Sequence, residues 1–149
     1  TWYFTGLIER QHNPNQQVPT TVTDDGVREV VLARNRQGHY VTSGAINGQP
    51  VVFLVDTGAT GVAIPAHLAD KLALPRGRAF VTRTANGDST SYATRLDSVS
   101  IGDIELNNVE AGVASGLRTR EVLLGMSFLR HVEFTQRGDT LTLRQYPTG

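Results

Sequence analysis

The chain has no cysteine among its 149 residues. That excludes a disulfide scaffold, thiolate zinc or iron–sulfur ligation and a cysteine nucleophile, and it leaves the redox compartment open. An excess of charge is also missing, since 14 basic side chains balance 14 acidic ones. A dedicated nucleic-acid binder normally carries a basic surplus, so no nucleic-acid partner is expected. Long apolar runs are absent: the longest, Val51 to Val55, is far below the roughly 20 residues of a membrane span. No charged segment followed by an apolar one marks a signal peptide. The length suits one core and is too short for two lobes of an ordinary enzyme.

Residues 1–25 read as an N-terminal arm or linker, and 26–149 as the folded domain. Trp2-Tyr3-Phe4 and Leu7-Ile8 lead into the polar run Asn13-Pro14-Asn15-Gln16-Gln17. Aromatics beside a polar linker fit the water-side edge of a removed membrane anchor, and equally an arm that packs on the domain.

From Gly26 onward the pattern is mostly β. Val27 to Ala33 predicts a strand, with a turn at Asn35 to Gly38. Tyr40 to Ile46 alternates, and Asn47-Gly48 is a strong hairpin signal because both central residues need positive φ. The return strand, Pro50 to Val55, is nearly all apolar and is expected to be buried on both faces. Pro65 to Leu72 has proline at a helix start and apolar residues at helical spacing, ending before Pro75. Arg78 to Thr84 and Ser89 to Ser100 flank a hairpin tip at Ala85-Asn86-Gly87-Asp88. Ile101 to Ile104 holds a Gly-Asp turn, and Leu106 to Ala114 is another strand. Val122 to Leu124 predicts a short buried strand, Met126 to Arg130 one helical turn, and Val132 to Phe134 with Thr140 to Leu143 a last hairpin. Many short strands and two small helices imply a closed or orthogonally packed β domain.

The chemistry centres on Phe53-Leu54-Val55-Asp56-Thr57-Gly58-Ala59-Thr60. An aspartate at the end of a buried strand is costly unless its charge is used or satisfied. Glycine two positions on allows a sharp turn and lets its N–H approach the carboxylate. Threonine between them can lock the turn through its hydroxyl. Asp-Thr-Gly alone also reads as a plain turn. Its context, an apolar strand before and Val62-Ala63-Ile64 after, favours a functional loop. Downstream, Val122-Leu123-Leu124-Gly125 is an apolar run stopped by glycine.

In these segments the sequence resembles the retropepsin-like aspartic proteases, the single-lobe family that includes retroviral proteases. Asp56-Thr57-Gly58-Ala59 is similar to the family's catalytic loop, and Leu123-Leu124-Gly125 to the stretch that threads beneath it. The Ala85–Asp88 hairpin stands where the family carries a substrate-covering flap. Gly38-His39-Tyr40, Ile46-Asn47-Gly48, Ala85-Asn86-Gly87 and Gly125-Met126-Ser127-Phe128-Leu129 look more like the bacterial, membrane-anchored branch than the viral one. The resemblance covers roughly Gly26 to Arg144.

It implies a closed β-barrel with one or two short helices and an aspartic endopeptidase with neither metal nor cofactor. Peptide hydrolysis in this family needs two carboxylates sharing one proton around a water. Only one Asp-Thr-Gly is present; Asp88-Ser89-Thr90, Asp97-Ser98-Val99 and Asp139-Thr140-Leu141 lack the glycine. The second carboxylate is therefore expected from Asp56 of another copy, in a homodimer. By the resemblance, Thr57 and Gly58 support the active-site loop. Ala59, Thr60, Ala85, Asn86 and Gly87 border the substrate, and Leu123, Leu124 and Gly125 lie beneath the site. The substrate is expected to be an extended peptide or unfolded protein. The resemblance also implies an upstream membrane anchor and a bacterial periplasmic setting. Viral relatives carry an ion-paired aspartate and arginine where Thr60 and Met126 stand, so their dimer geometry does not transfer.

Other candidates are weaker. His12, His39, His67 and His131 have no zinc spacing. Ser127 lacks the Gly-x-Ser-x-Gly elbow. Asp103, Glu105 and Asn107 alternate as the wet face of a strand would, without the glycine of a calcium loop. Val62, Ile64, Val81 and Leu123 suit either apolar pocket walls or core. The competing reading is a catalytically silent binding or dimerisation module on the same fold.

Overall fold

In the structure, a computed structural model that describes residues 11–84 and 87–148 (the Thr84 side chain excepted), β-strands dominate. Among the described residues the strands are β1 (Thr21–Val22), β2 (Arg28–Ala33), β3 (Val41–Ile46), β4 (Gln49–Val55), β5 (Val62–Pro65) and β6 (Ala79–Thr84). They continue as β7 (Gly87–Ile101), β8 (Ile104–Ala114), β9 (Val122–Leu124), β10 (Glu133–Arg137) and β11 (Thr140–Gln145). Two short helices join them, α1 (Ala66–Lys71) and α2 (Met126–Leu129).

Strands β3-β4-β9-β5-β8-β7 follow one another, and β3 pairs back onto β7 through Ala45↔Ser100 and Ile46↔Val99, closing a six-strand barrel. The closure depends on one glycine. A Cβ on Gly44 would lie 2.4 Å from the Ser100 carbonyl and 2.6 Å from the Phe53 ring, so only glycine lets β3 come this close. Asn47 (φ 52°) and Gly48 (φ 78°) make the expected β3–β4 turn. Asn47 also ties that turn to β7, accepting the Ser98 N–H on Oδ1 and donating its own N–H to the Ser98 carbonyl.

The second sheet, β1-β2-β11-β10, is antiparallel and covers one side of the barrel. Alternation decides its faces: Val30, Leu32, Leu141 and Leu143 point into the common core with Ile46, Phe53, Leu96, Ile101, Ile104 and Phe128. Ahead of β1, Asn15 is buried and does the work of a short strand. Its side chain donates to the Ala33 and Val41 carbonyls, both at 2.8 Å, and accepts the Ala33 N–H. Asn13 is buried beside it, donating to Ser43 Oγ at 3.0 Å. No helix among the described residues is long and apolar enough to cross a membrane.

One expectation needs correction. Strand β4 is not buried on both faces: Phe53 is fully enclosed, but Val51, Val52, Leu54 and Val55 are half-buried. A barrel wall has one inner face, and a single chain leaves the other partly open. Helix α1 occupies the expected segment, between an N-cap at Pro65 and a C-cap at Leu72, and ends before Pro75. Ala73 adopts φ 56°, and the Leu74 N–H returns to the Ala69 carbonyl while Ala73 N–H returns to Asp70. This is a Schellman stop, with alanine in the place glycine usually takes.

Candidate active site

Asp56 stands where β4 leaves the barrel. Strand β9 runs between β4 and β5, parallel to the first and antiparallel to the second, with Leu123 opposite both Leu54 and Ala63. The pairing carries past the strand end, because the Asp56 N–H donates to the Leu124 carbonyl at 3.0 Å. The carboxylate is half-buried, and its Oδ1 accepts the Gly58 N–H at 3.0 Å. A Cβ on Gly58 would sit 3.3 Å from that oxygen, so a larger residue would crowd the carboxylate. The Ala59 N–H returns to the Asp56 carbonyl at 3.1 Å and completes the turn.

The loop is held from below. Its Ala59 and Thr60 carbonyls accept the N–H groups of Met126 (2.8 Å) and Ser127 (2.9 Å), the opening residues of α2. Gly125 makes this possible, since a Cβ there would fall 2.2 Å from the Gly61 carbonyl and 2.6 Å from that of Ala59. Ser127, buried, accepts the Val62 N–H on Oγ at 3.0 Å and donates to the Glu110 carbonyl at 2.8 Å. One hydroxyl thus joins α2, β5 and β8 under the Asp56 turn. Sequence reasoning weighed Ser127 only as a nucleophile and missed this bridging role. The signal was its place two residues after the threading glycine.

The other expected residues fall around this centre unevenly. Thr57, Gly58 and Thr60 are exposed and Ala59 is half-buried on the same loop. Leu124 and Gly125 are buried beneath it and Leu123 is half-buried. Strands β6 and β7 pair from Ala79↔Tyr92 to Thr84↔Gly87, so the hairpin is longer than expected and Gly87 and Asp88 belong to β7. Gly87 is exposed with φ 108°, while Ala85 and Asn86 lie outside the described residues. Val62 and Ile64 are core residues at 1% and 0% exposure, whereas Val81, on β6, is 66% exposed. Their inward positions on β5 alternate toward the barrel interior, which decides between the two roles.

Elsewhere, Asp103, Glu105 and Asn107 are all exposed, the wet face of a turn and strand. His12 lies 3.4 Å from Glu121, and no group of three His, Cys, Asp or Glu gathers among the described residues. A recess of about 580 Å³ lies apart from the Asp56 loop, lined by Arg28, Ser100, Asp103 and Glu105 among others.

Comparison with known proteins gives this loop a context. Residues 42–131, which span the loop and the strand beneath it, match the family described as "gag-polyprotein putative aspartyl protease". A Sinorhizobium protein, "Uncharacterized protein in cobV 5'region", is 39% identical over 130 residues, covering 84% of this chain and 56% of its own. "Uncharacterized protein RP867" of Rickettsia prowazekii is 34% identical over 116 residues, with coverages of 75% and 49%. The chain therefore spans about half the length of these curated relatives. Among solved structures, a retropepsin-like aspartic protease from Rickettsia conorii superposes with a TM-score of 0.67 at 32% identity, over 87% of this chain and 96% of that one. The EIAV protease, solved with an inhibitor, shares the fold at 20% identity and a TM-score of 0.54, over 66% and 92% of the two chains. With its family match over residues 42–131, the chain belongs to the retropepsin-like aspartyl proteases.

Proposed function

We propose that the protein is an aspartic endopeptidase whose active site is completed when two copies bring their Asp56 carboxylates together. The observation that carries the reading is the Asp56 turn, a half-exposed carboxylate held by the Gly58 N–H and clamped from below by Gly125 and Ser127. A group that only ended a strand would not call for a clamp built from three elements. Two such carboxylates at close range cannot both ionise, so one keeps a proton and the other takes a proton from water. The water attacks the peptide carbonyl as the protonated partner donates to the carbonyl oxygen; the tetrahedral diol then breaks its C–N bond, the departing amine taking the proton that the other carboxylate drew from water. Thr57 braces the loop, and Ala59 and Thr60 then border the extended peptide, which pairs by its backbone with the cleft. The β6–β7 hairpin covers it. A periplasmic, membrane-anchored setting is part of the proposal and rests on the family resemblance alone; protease protection in intact spheroplasts tests it.

The test is cleavage of an unfolded protein at acid pH by wild type and Asp56→Ala. Loss of cleavage in the variant, with its fold retained by circular dichroism, supports the endopeptidase. Equal turnover by both proteins ends the Asp56 endopeptidase reading, and none by wild type at any concentration leaves the silent binding module.

A further inference from the structure

The arm ahead of β1 lies outside residues 42–131, the stretch that matches the family, yet it is built into the barrel. Asn15 pairs parallel with Thr42 on the side of β3 away from β4, and its carbonyl takes the Ser43 N–H at 3.0 Å. Asn13 turns its Oδ1 back to the Asn15 N–H at 2.9 Å. One residue earlier, His12 touches two loops at once. Its carbonyl accepts a side-chain N–H of Asn35 at 2.9 Å, and its Nε2 lies 3.4 Å from Glu121 Oε2.

Each contact falls on a loop that opens a strand beside Asp56. Asn35 organises residues 35–39: its Oδ1 accepts the Gln37 and His39 N–H groups at 3.1 and 2.9 Å, and its own N–H goes to the His39 carbonyl at 2.8 Å. Tyr40 follows directly, and its carbonyl takes the Val55 N–H at 2.9 Å. Glu121 closes the other loop, immediately before Val122, which pairs with Phe53. Two residues on, the Leu124 carbonyl takes the Asp56 N–H at 3.0 Å. Strands β3 and β9 are the two neighbours of β4, so the backbone that leads to Asp56 is held from both sides. His12 is joined to the loop ahead of each.

We propose that His12 is a positioning residue for Asp56 and acts through these two loops; as a role in catalysis this rests on the peptidase reading above. The contacts suit a residue that fixes geometry more than it adds stability. The imidazole is 47% exposed, so its charge pair gains little net free energy, although the Glu121 side chain is only 13% exposed. Misplacing a reacting group by about 1 Å, in contrast, can cost on the order of a hundredfold in rate. Glu121 is the only acid in residues 35–39 and 116–121, so no other carboxylate on these loops competes for the imidazolium. The pair carries its charge when the imidazole is protonated, which acid pH favours. An arm that only covered the edge of β3 would need Asn13 and Asn15 and no contact with Glu121.

The test compares wild type, His12→Ala and His12→Arg in the full chain, by cleavage of an unfolded protein at acid pH and by amide exchange followed with NMR. His12→Ala should lower kcat about tenfold with KM within about twofold, and shift the melting temperature by less than about 3 °C. Exchange of the Val55 and Asp56 amides should quicken at least about fivefold, while that of Leu143 in the second sheet stays unchanged. His12→Arg keeps a cation opposite Glu121 and should recover at least about half of both effects. Unchanged kcat and exchange in the alanine variant, an equal rise in exchange across both sheets, or no recovery with arginine would overturn the proposal. The two readings fail separately. A wild type that cleaves nothing sinks the peptidase, and the exchange rates still decide whether His12 holds Asp56. Cleavage that His12→Ala leaves untouched sinks only the positioning role.

Discussion

Ser127 Oγ lies 3.0 Å from the backbone nitrogen of Val62, and that contact joins helix α2 to the strand leaving the Asp56 loop. The same hydroxyl reaches the Glu110 carbonyl, so its removal strands a buried N–H and frees a carbonyl at once. Ser127→Ala should cost about 1–3 kcal/mol, read as a lowered denaturant midpoint. Ser127→Thr keeps the hydroxyl and should recover part of that loss if its methyl fits. An alanine variant as stable as wild type would remove Ser127 from the clamp.

Gly125 faces a harder limit, since both carbonyl groups its Cβ would strike, those of Ala59 and Gly61, belong to the backbone of the Asp56 loop. Neither can rotate away as a side chain could. Gly125→Ala should destabilise by at least about 2 kcal/mol and displace the loop, lowering any peptidase activity more than stability alone explains. Thermal melting and turnover measured on the same preparation separate the two effects.

Ala73 points the other way. It holds φ 56° at an exposed position with no side-chain role, a conformation that costs L-residues and suits glycine. Ala73→Gly should leave the fold unchanged and stabilise it by up to about 1 kcal/mol, part of the gain being offset by the freer unfolded chain. A clear loss in chemical denaturation would contradict the assigned helix stop.

The Glu133 cluster gives stability a pH dependence at its own strand. The Tyr146 hydroxyl and then Arg144 hold the Glu133 carboxyl below its ordinary 4.5, and Glu133 in turn raises Tyr146 above its ordinary 10.0. A depressed carboxyl contributes stability above its unfolded pKa and loses it as pH falls through the folded one; a raised phenol contributes below its unfolded pKa and loses it as pH rises through the folded one. The stability difference between wild type and Tyr146→Phe should therefore be widest near neutral pH. It should shrink below about pH 4 and again above about pH 10. A difference that stays flat from pH 3 to 7 would rule out this cluster as a source of acid sensitivity.

Much of this architecture was legible because local chemistry and tertiary structure agree. Asn47-Gly48 needed its own turn, Val122 to Leu124 was bounded by glycine, and Asp56-Thr57-Gly58 carried its meaning in its order. What escaped was set by partners distant in sequence. Asn15 looked like linker because its side chain's three hydrogen bonds go to Ala33 and Val41, and Ser127 looked idle because Val62 and Glu110 are remote in the chain. Val62 and Ile64 were ambiguous for the same reason: only the closed barrel shows which way they face. The single Asp-Thr-Gly of this sequence is what makes a second copy central to the proposed chemistry.

Subunit mixing tests that claim most directly. Wild type and Asp56→Asn are combined at constant total concentration, allowed to exchange, and assayed on an unfolded protein at acid pH. If each site needs Asp56 from both copies, mixed pairs are dead and activity falls as the square of the wild-type fraction, to about one quarter at equal proportions. A linear fall, to about one half, would mean that each chain works with its own carboxylate and would contradict the shared site.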